Sequence, residues 1–191
     1  MNKNLTPELV QNFHRYLSKA FGFSIVDKKN AIEMEIIARV LPKITPIDPK
    51  IFMTKYSTTL YNQVYLPYEI GQGKKSDLFS QIVTITHEAQ HVADFGTNPT
   101  DMALYLVLDA QRTRIEVRAM TSKIYLQWWY NGTIPNLTKM VESLYYYGLD
   151  ASDQNVARKQ LKVHASIARR GIVPRNLVVN RAVSWLRKNC K

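Results

Sequence analysis

With 191 residues, 46% of them hydrophobic, the chain is long enough for one sizeable core and too short for several. A single cysteine, Cys190, excludes a disulfide framework; no run approaches the roughly 18 apolar residues of a membrane span, and the first residues lack the apolar core of a secretory signal, so a cytoplasmic location is expected. The net charge of +11 is uneven: up to Asp153 there are 16 basic residues against 15 acidic ones, whereas Gln154 to Lys191 carries 10 basic residues and no acid.

Thr6-Pro7-Glu8 supplies an N-cap, a proline suited to the first helical position and an early acid, and Leu9, Phe13, Tyr16 and Leu17 then recur at helical spacing up to Gly22. His14 lies beside that stripe and reads as a packed or surface histidine. Phe23 to Val26 is a short strand candidate, and Ala31 to Leu41 has helical spacing before Pro42 stops it. Ile51 to Tyr56 and Thr59 to Leu66 are rich in β-branched and aromatic residues, which predicts two strands of a small antiparallel sheet.

Ser76 to Asp94 is the organising stretch. Ser76 or Asp77 is available as N-cap, and Gly96 and Pro99 are stop signals. At 100° per residue Leu78, Ile82, Ile85, Ala89 and Val92 share one face, while Ser80, Thr84, His87, His91 and Asp94 share the opposite one. Within it, His87-Glu88-Ala89-Gln90-His91 forms H-E-x-x-H, which on a helix sets two imidazoles one turn apart with a carboxylate between them. Such a pair binds Zn²⁺, and the glutamate acts as general base on a water that the metal activates.

A catalytic zinc site needs a third protein ligand and an open position. The H-E-x-x-H-x-x-G-x-x-H arrangement would require glycine at Asp94 and histidine at Thr97, so that subclass is excluded. Asn98-Pro99-Thr100-Asp101 opens helical sequence that continues, with a break, to Tyr130 and stops at Asn131-Gly132; it carries Glu116, 25 residues after His91. Glu116 is the preferred third ligand, with Asp109 and His164 as alternatives. A surface ion pair with Arg112, one turn earlier, is the rival explanation for Glu116.

His87, Glu88 and His91, followed by Glu116 with Ala119 three residues later, resemble the zincin metallopeptidases, and within them the gluzincins, over roughly residues 58 to 130. The resemblance implies a zinc metallopeptidase that hydrolyses a polypeptide substrate, with His87, His91 and Glu116 as ligands and Glu88 as base. It also implies a sheet edge strand before the zinc helix, and a Tyr or His that stabilises the oxyanion. Tyr145, Tyr146, Tyr147 and His164 are the candidates for that role.

Trp128, Trp129 and Tyr130 form an aromatic cluster that reads as core or as a hydrophobic substrate wall rather than as a nucleic-acid stacking platform. Leu137 to Tyr147 predicts a helix ending at Gly148; Ser152 or Asp153 caps another that runs to Arg170, and Pro174 opens the last, to Asn189. The expected architecture is a mostly helical α+β domain over residues 1–153, followed by a basic helical extension over 154–191 that packs on it or trails it. That extension has the charge of a surface for nucleic acid, an anionic membrane or an acidic partner; the competing explanation is a solvated helical face that keeps the protein soluble. The competing functional reading is a non-enzymatic basic protein, for example a component of a larger particle, that keeps a zincin-like fold.

Overall fold

The computed structural model describes residues 3–40, 42, 45–97, 99–172 and 174–190. Leu41, the expected end of one helix, and Asn98, the expected opening of another, lie outside them. The fold is mostly helical with one small sheet. Its helices are α1 (Pro7–Phe21), α2 (Ile32–Val40), α3 (Pro49–Lys55), α4 (Lys75–Thr97), α5 (Pro99–Val107), α6 (Asp109–Asn131), α7 (Leu137–Glu142), α8 (Ala151–Arg169) and α9 (Leu177–Asn189). The strands are β1 (Ser24–Asp27), β2 (Thr58–Leu60) and β3 (Gln63–Leu66).

α4 is the axis of the core. It packs against α1, α5, α6 and α9 and against β2 and β3, and α6 is sandwiched between α4 and α8. Ile82, Ile85, Ala89 and Val92 of α4 are buried with Phe13 and Leu17 of α1, Ile124 and Leu126 of α6 and Val179 and Leu186 of α9. Because so many neighbours surround α4, its polar face is buried too: Gln81, Thr86, Glu88, Gln90, His91 and Asp94 are all in the interior. A buried polar face requires partners, and these set the site described below.

α1 follows its local signals, with the Thr6 hydroxyl accepting from the Leu9 amide and Gly22 in the left-handed region at φ 69°. β1 is found where the sequence reading expects it. Elsewhere the structure differs from expectation. Residues 49–55 form α3 rather than a strand, because Asp48 caps the Ile51 amide and Pro49 occupies the first turn, and this local start outweighs the two β-branched residues within it. Thr59 to Leu66 is not one strand but a hairpin, with the chain reversing at Tyr61 and Asn62; Tyr61 takes φ 53° to make the two-residue turn.

The sheet is mixed rather than antiparallel, in the order β1-β3-β2. β2 pairs antiparallel with β3 through that turn, whereas β1 pairs parallel with β3, Ser24 opposite Gln63 and Asp27 opposite Leu66. The long crossover through α2 and α3 permits the parallel pairing. Two expected caps also move. α4 starts at Lys75, with Asp77 accepting from the Lys74 amide, and α8 is capped by Asp150, whose carboxylate accepts from the Asp153 amide.

α8 and α9 share the main core. Ala157, Leu161, Ala165 and Ala168 of α8 and Val178, Val179, Ala182, Val183 and Leu186 of α9 are buried in the same cluster as α4. The aromatic run at the end of α6 packs against this core as well, with the Tyr130 ring stacked on Phe79 at 4.4 Å between centroids. Among the described residues no helix is long and apolar enough to cross a membrane.

Candidate metal centre

α4 turns His87 and His91 to the same side, one turn apart, and α6 crosses beside them. The Nε2 atoms of the two histidines are 3.0 Å apart. Glu116 faces both: its Oε2 is 3.7 Å from His87 Nε2, and its Oε1 is 3.7 Å from His91 Nε2. Taking one donor atom from each residue, the three lie within 4.8 Å of one another, near the roughly 3.3–3.6 Å expected of three donors bound tetrahedrally at about 2.0–2.2 Å from one ion, so small side-chain rotations would bring them to a shared ion.

Glu116 is fully buried, which excludes a solvated helix face. Nor is it the partner of Arg112, which pairs with Asp109 at 2.9 Å. Burial drives the Glu116 carboxyl up to about 8, partly opposed by the Tyr105 hydrogen bond. Burial also lowers His87 to about 4 and His91 well below its ordinary value, so both imidazoles are neutral at pH 7. Glu116 Oε2 and His91 Nδ1 are buried without a hydrogen-bond partner. Two neutral imidazoles and a carboxyl with one unpartnered oxygen, facing one point, are a donor set that fits a divalent cation, whose binding would displace the carboxyl proton.

The surrounding groups fix these donors. The Ala119 backbone hydrogen-bonds the His87 ring, and Ala119 itself is fully buried, so the small residue marks where α6 comes close to α4. His91 stacks on Phe95 at 5.8 Å. The Tyr105 hydroxyl of α5 donates to Glu116 Oε1 at 2.6 Å. One turn beyond His91, Asp94 accepts from Gln90 and pairs with Arg118 at 2.9 Å, tying α4 to α6 next to the ligands.

Glu88 turns to the sheet side of α4. Thr59 of β2 donates to its Oε2 at 2.7 Å, and burial raises the carboxyl to about 7 against that bond and the nearby positive charge of Lys28. Lys28 is itself fully buried behind β2. Its Nζ donates to the carbonyls of Phe52 (3.0 Å) and Tyr56 (2.8 Å) and to Thr58 Oγ1 (2.8 Å), above the Phe52 ring. Burial pulls its pKa down to about 7, and the two carbonyls, which can only accept, take two of its N–H bonds.

His87, Glu88, His91 and Glu116 open onto one cavity of about 310 Å³, walled by β2, α3, α5 and the 3-10 turn Ser143–Tyr147. Phe52, Leu60, Phe95, Met102 and Leu106 make much of its wall apolar. Of the four oxyanion candidates, Tyr146 and Tyr147 line the cavity; Tyr145 is 57% exposed, and His164 instead contacts the Tyr125 hydroxyl. Burial and the charges of Glu116 and Glu88 push the Tyr147 hydroxyl well above its ordinary range, so it keeps its proton. Asp109 is exposed and held by Arg112, and His14 is buried in α1; neither joins the cluster.

Thr59, Lys28, Tyr105 and Arg112 are not distinguishable as site residues in the sequence. Tyr105 carried no signal, since a tyrosine in an apolar helix reads as core. No family model matches the chain, and neither does any curated protein or solved structure.

Proposed function

We propose that this chain is a zinc-dependent peptidase of the gluzincin kind, with His87, His91 and Glu116 as ligands and Glu88 as general base. One observation carries the reading: the ligand atoms of those three residues converge within 4.8 Å of one another on the cavity that Glu88 also lines. Zn²⁺ bound there would polarise the scissile carbonyl and acidify a water.

The residues of the chain supply the rest. Glu88, its Oε2 anchored by Thr59, takes the proton of the attacking water and returns it to the leaving amine. The Tyr147 hydroxyl, protonated and in the cavity wall, donates a hydrogen bond to the oxyanion. β2 is the outer strand on the cavity side of the sheet, so an extended peptide can pair along it beside Glu88, seating an apolar side chain between Phe52, Leu60 and Leu106. A cytoplasmic setting fits the composition.

The test is hydrolysis of a blocked peptide library by zinc-loaded protein, with chelator and Glu88→Gln controls. Cleavage that needs zinc and falls by about 10² or more in Glu88→Gln while the metal stays bound supports the reading. A zinc-loaded protein that cleaves nothing, or an equally active Glu88→Gln, refutes it.

A second reading, a non-enzymatic polyanion-binding role, is favoured by one observation. Lys159, Lys162, Arg169 and Arg170 of the α8 segment and Arg175, Arg181, Arg187 and Lys188 of the α9 segment are exposed, and none is in an ion pair among the described residues. Binding to nucleic acid that weakens steeply with salt would support it.

A further inference from the structure

α5 ends at Val107, and the carbonyls of its last turn have no partner within the helix. Arg112 serves two of them. Its Nε donates to the Tyr105 carbonyl at 3.1 Å, and one terminal nitrogen donates to the Leu106 carbonyl at 3.0 Å. The other terminal nitrogen donates to Asp109 Oδ1 at 2.9 Å and to the Tyr147 carbonyl at 3.2 Å. The planar guanidinium thus spans three elements at once, which a lysine ammonium cannot do with the same geometry. Its side chain is only 17% exposed and lies in the cavity wall.

Glu116 is one turn further along the same helix, and it accepts the Tyr105 hydroxyl at 2.6 Å. Tyr105 is therefore held at both ends by one face of α6, its backbone by Arg112 and its hydroxyl by Glu116. The guanidinium also lies 5.8 Å from the Tyr105 ring centroid. The hydroxyl bond fixes the rotation of the Glu116 carboxylate, which keeps both oxygens turned toward the histidines.

We propose that Arg112 is a positioning residue for the metal centre: it caps α5 so that Tyr105 aims the Glu116 carboxylate, and the same guanidinium fixes the Tyr147 segment across the cavity. The proposal rests on His87, His91 and Glu116 holding a metal. Hydrogen-bonded groups one step behind a ligand typically contribute 10- to 100-fold to metal affinity, and that is the size of effect expected here.

The experiment is a double-mutant cycle read as zinc affinity, by competition with a chromophoric chelator, on the full chain. Arg112→Gln and Tyr105→Phe are each expected to weaken zinc binding by about tenfold or more. Because Arg112 acts through Tyr105, the double variant is expected to be little weaker than the weaker single one, whereas independent effects would multiply. Thermal midpoints measured without zinc separate this from a loss of stability, which alone would leave the affinity of the folded protein unchanged. Should Arg112→Gln fail to fold, Arg112→Lys replaces it in the cycle, with the same expectation.

Parental zinc affinity in the Arg112 variant, or factors that multiply, overturns the proposal. A parent protein that binds no zinc overturns the metal-centre reading and this proposal with it. Zinc binding by the parent together with unaffected Arg112 variants sinks only the role of Arg112.

Discussion

Glu116→Gln is the most informative single substitution, because it changes the charge at the centre of the site and almost nothing else. The amide keeps the shape of the side chain, and its oxygen can still accept from Tyr105 where Glu116 Oε1 now does. What disappears is a fully buried carboxyl with one oxygen lacking any partner. The apoprotein is therefore expected to melt no lower than the parent, since burial holds the Glu116 carboxyl up to about 8, so that without a cation it is already mostly neutral at pH 7 and a neutral amide of the same shape replaces it.

Zinc should separate the two proteins. A ligand at about a thousand times its Kd stabilises the folded state by about 4 kcal/mol. For a domain of this size, each kcal/mol moves the midpoint by about 2–4 °C, so zinc should raise the parent midpoint by roughly 8–16 °C. If losing the carboxylate weakens binding a hundredfold, the same zinc concentration is about ten times Kd and stabilises by only about 1.4 kcal/mol, leaving a rise of roughly 3–6 °C. Differential scanning calorimetry with and without zinc measures both quantities. An undiminished zinc shift in Glu116→Gln, or a marked fall in its apoprotein midpoint, would show that Glu116 has a structural role and is not a ligand.

Further outcomes follow from the neighbouring residues. His87→Ala and His91→Ala are each expected to remove zinc, read by metal content after gel filtration; full occupancy in either would refute the ligand set. Thr59→Val should leave zinc bound but lower kcat by about tenfold, because Glu88 loses the hydroxyl that anchors its Oε2; an unchanged kcat would show that Glu88 is held by something else. Ending the chain at Asp153 should yield insoluble or unfolded protein. Leu161, Val178, Val179, Val183 and Leu186 would leave the core, at about 1.5–3 kcal/mol each, which together matches a whole domain's stability of about 5–15 kcal/mol. A soluble, cooperatively melting fragment would contradict this.

Acid sensitivity should trace in part to His14. Burial lowers its folded pKa to about 4 from 6.5, so between those values the unfolded chain binds the proton and the native one does not. Its contribution is intact above pH 6.5 and is lost as pH falls toward 4, about 3 kcal/mol in all. Urea midpoints of zinc-free parent and His14→Met should therefore converge or cross as pH drops from 7.5 to 4.5; parallel pH profiles would refute the assignment.

The sequence by itself determined the features that depend on neighbours within a turn or two. The cap at Thr6, the apolar stripe of α1, and the long helices around H-E-x-x-H and around Glu116 are written in local periodicity and end signals. The pairing of His87 with His91 is of the same kind, since 3.6 residues per turn brings them together whatever the rest of the chain does. Local signals also misled where two of them competed. Residues 49–55 have strand-like composition, but Asp48 and Pro49 start a helix; residues 59–66 alternate like one strand, but Tyr61 tolerates the positive φ of a turn.

Only the tertiary structure decided the rest. Glu116 lies against the histidines because α6 crosses α4 at Ala119, a contact between residues more than two dozen positions apart. Tyr105 and Arg112 matter because the end of α5 folds back on α6, and Lys28 because a crossover brings β1 under the Phe52 and Tyr56 carbonyls. Which tyrosine faces the cavity depends on how the 3-10 turn packs across it, and three consecutive tyrosines carry no local cue to that. Periodicity specifies which face of an element is polar, but burial of that face and its partners depend on distant segments that close over it. In this chain those segments come from both ends, with α1 and α9 covering α4 from residues that no local pattern could pair.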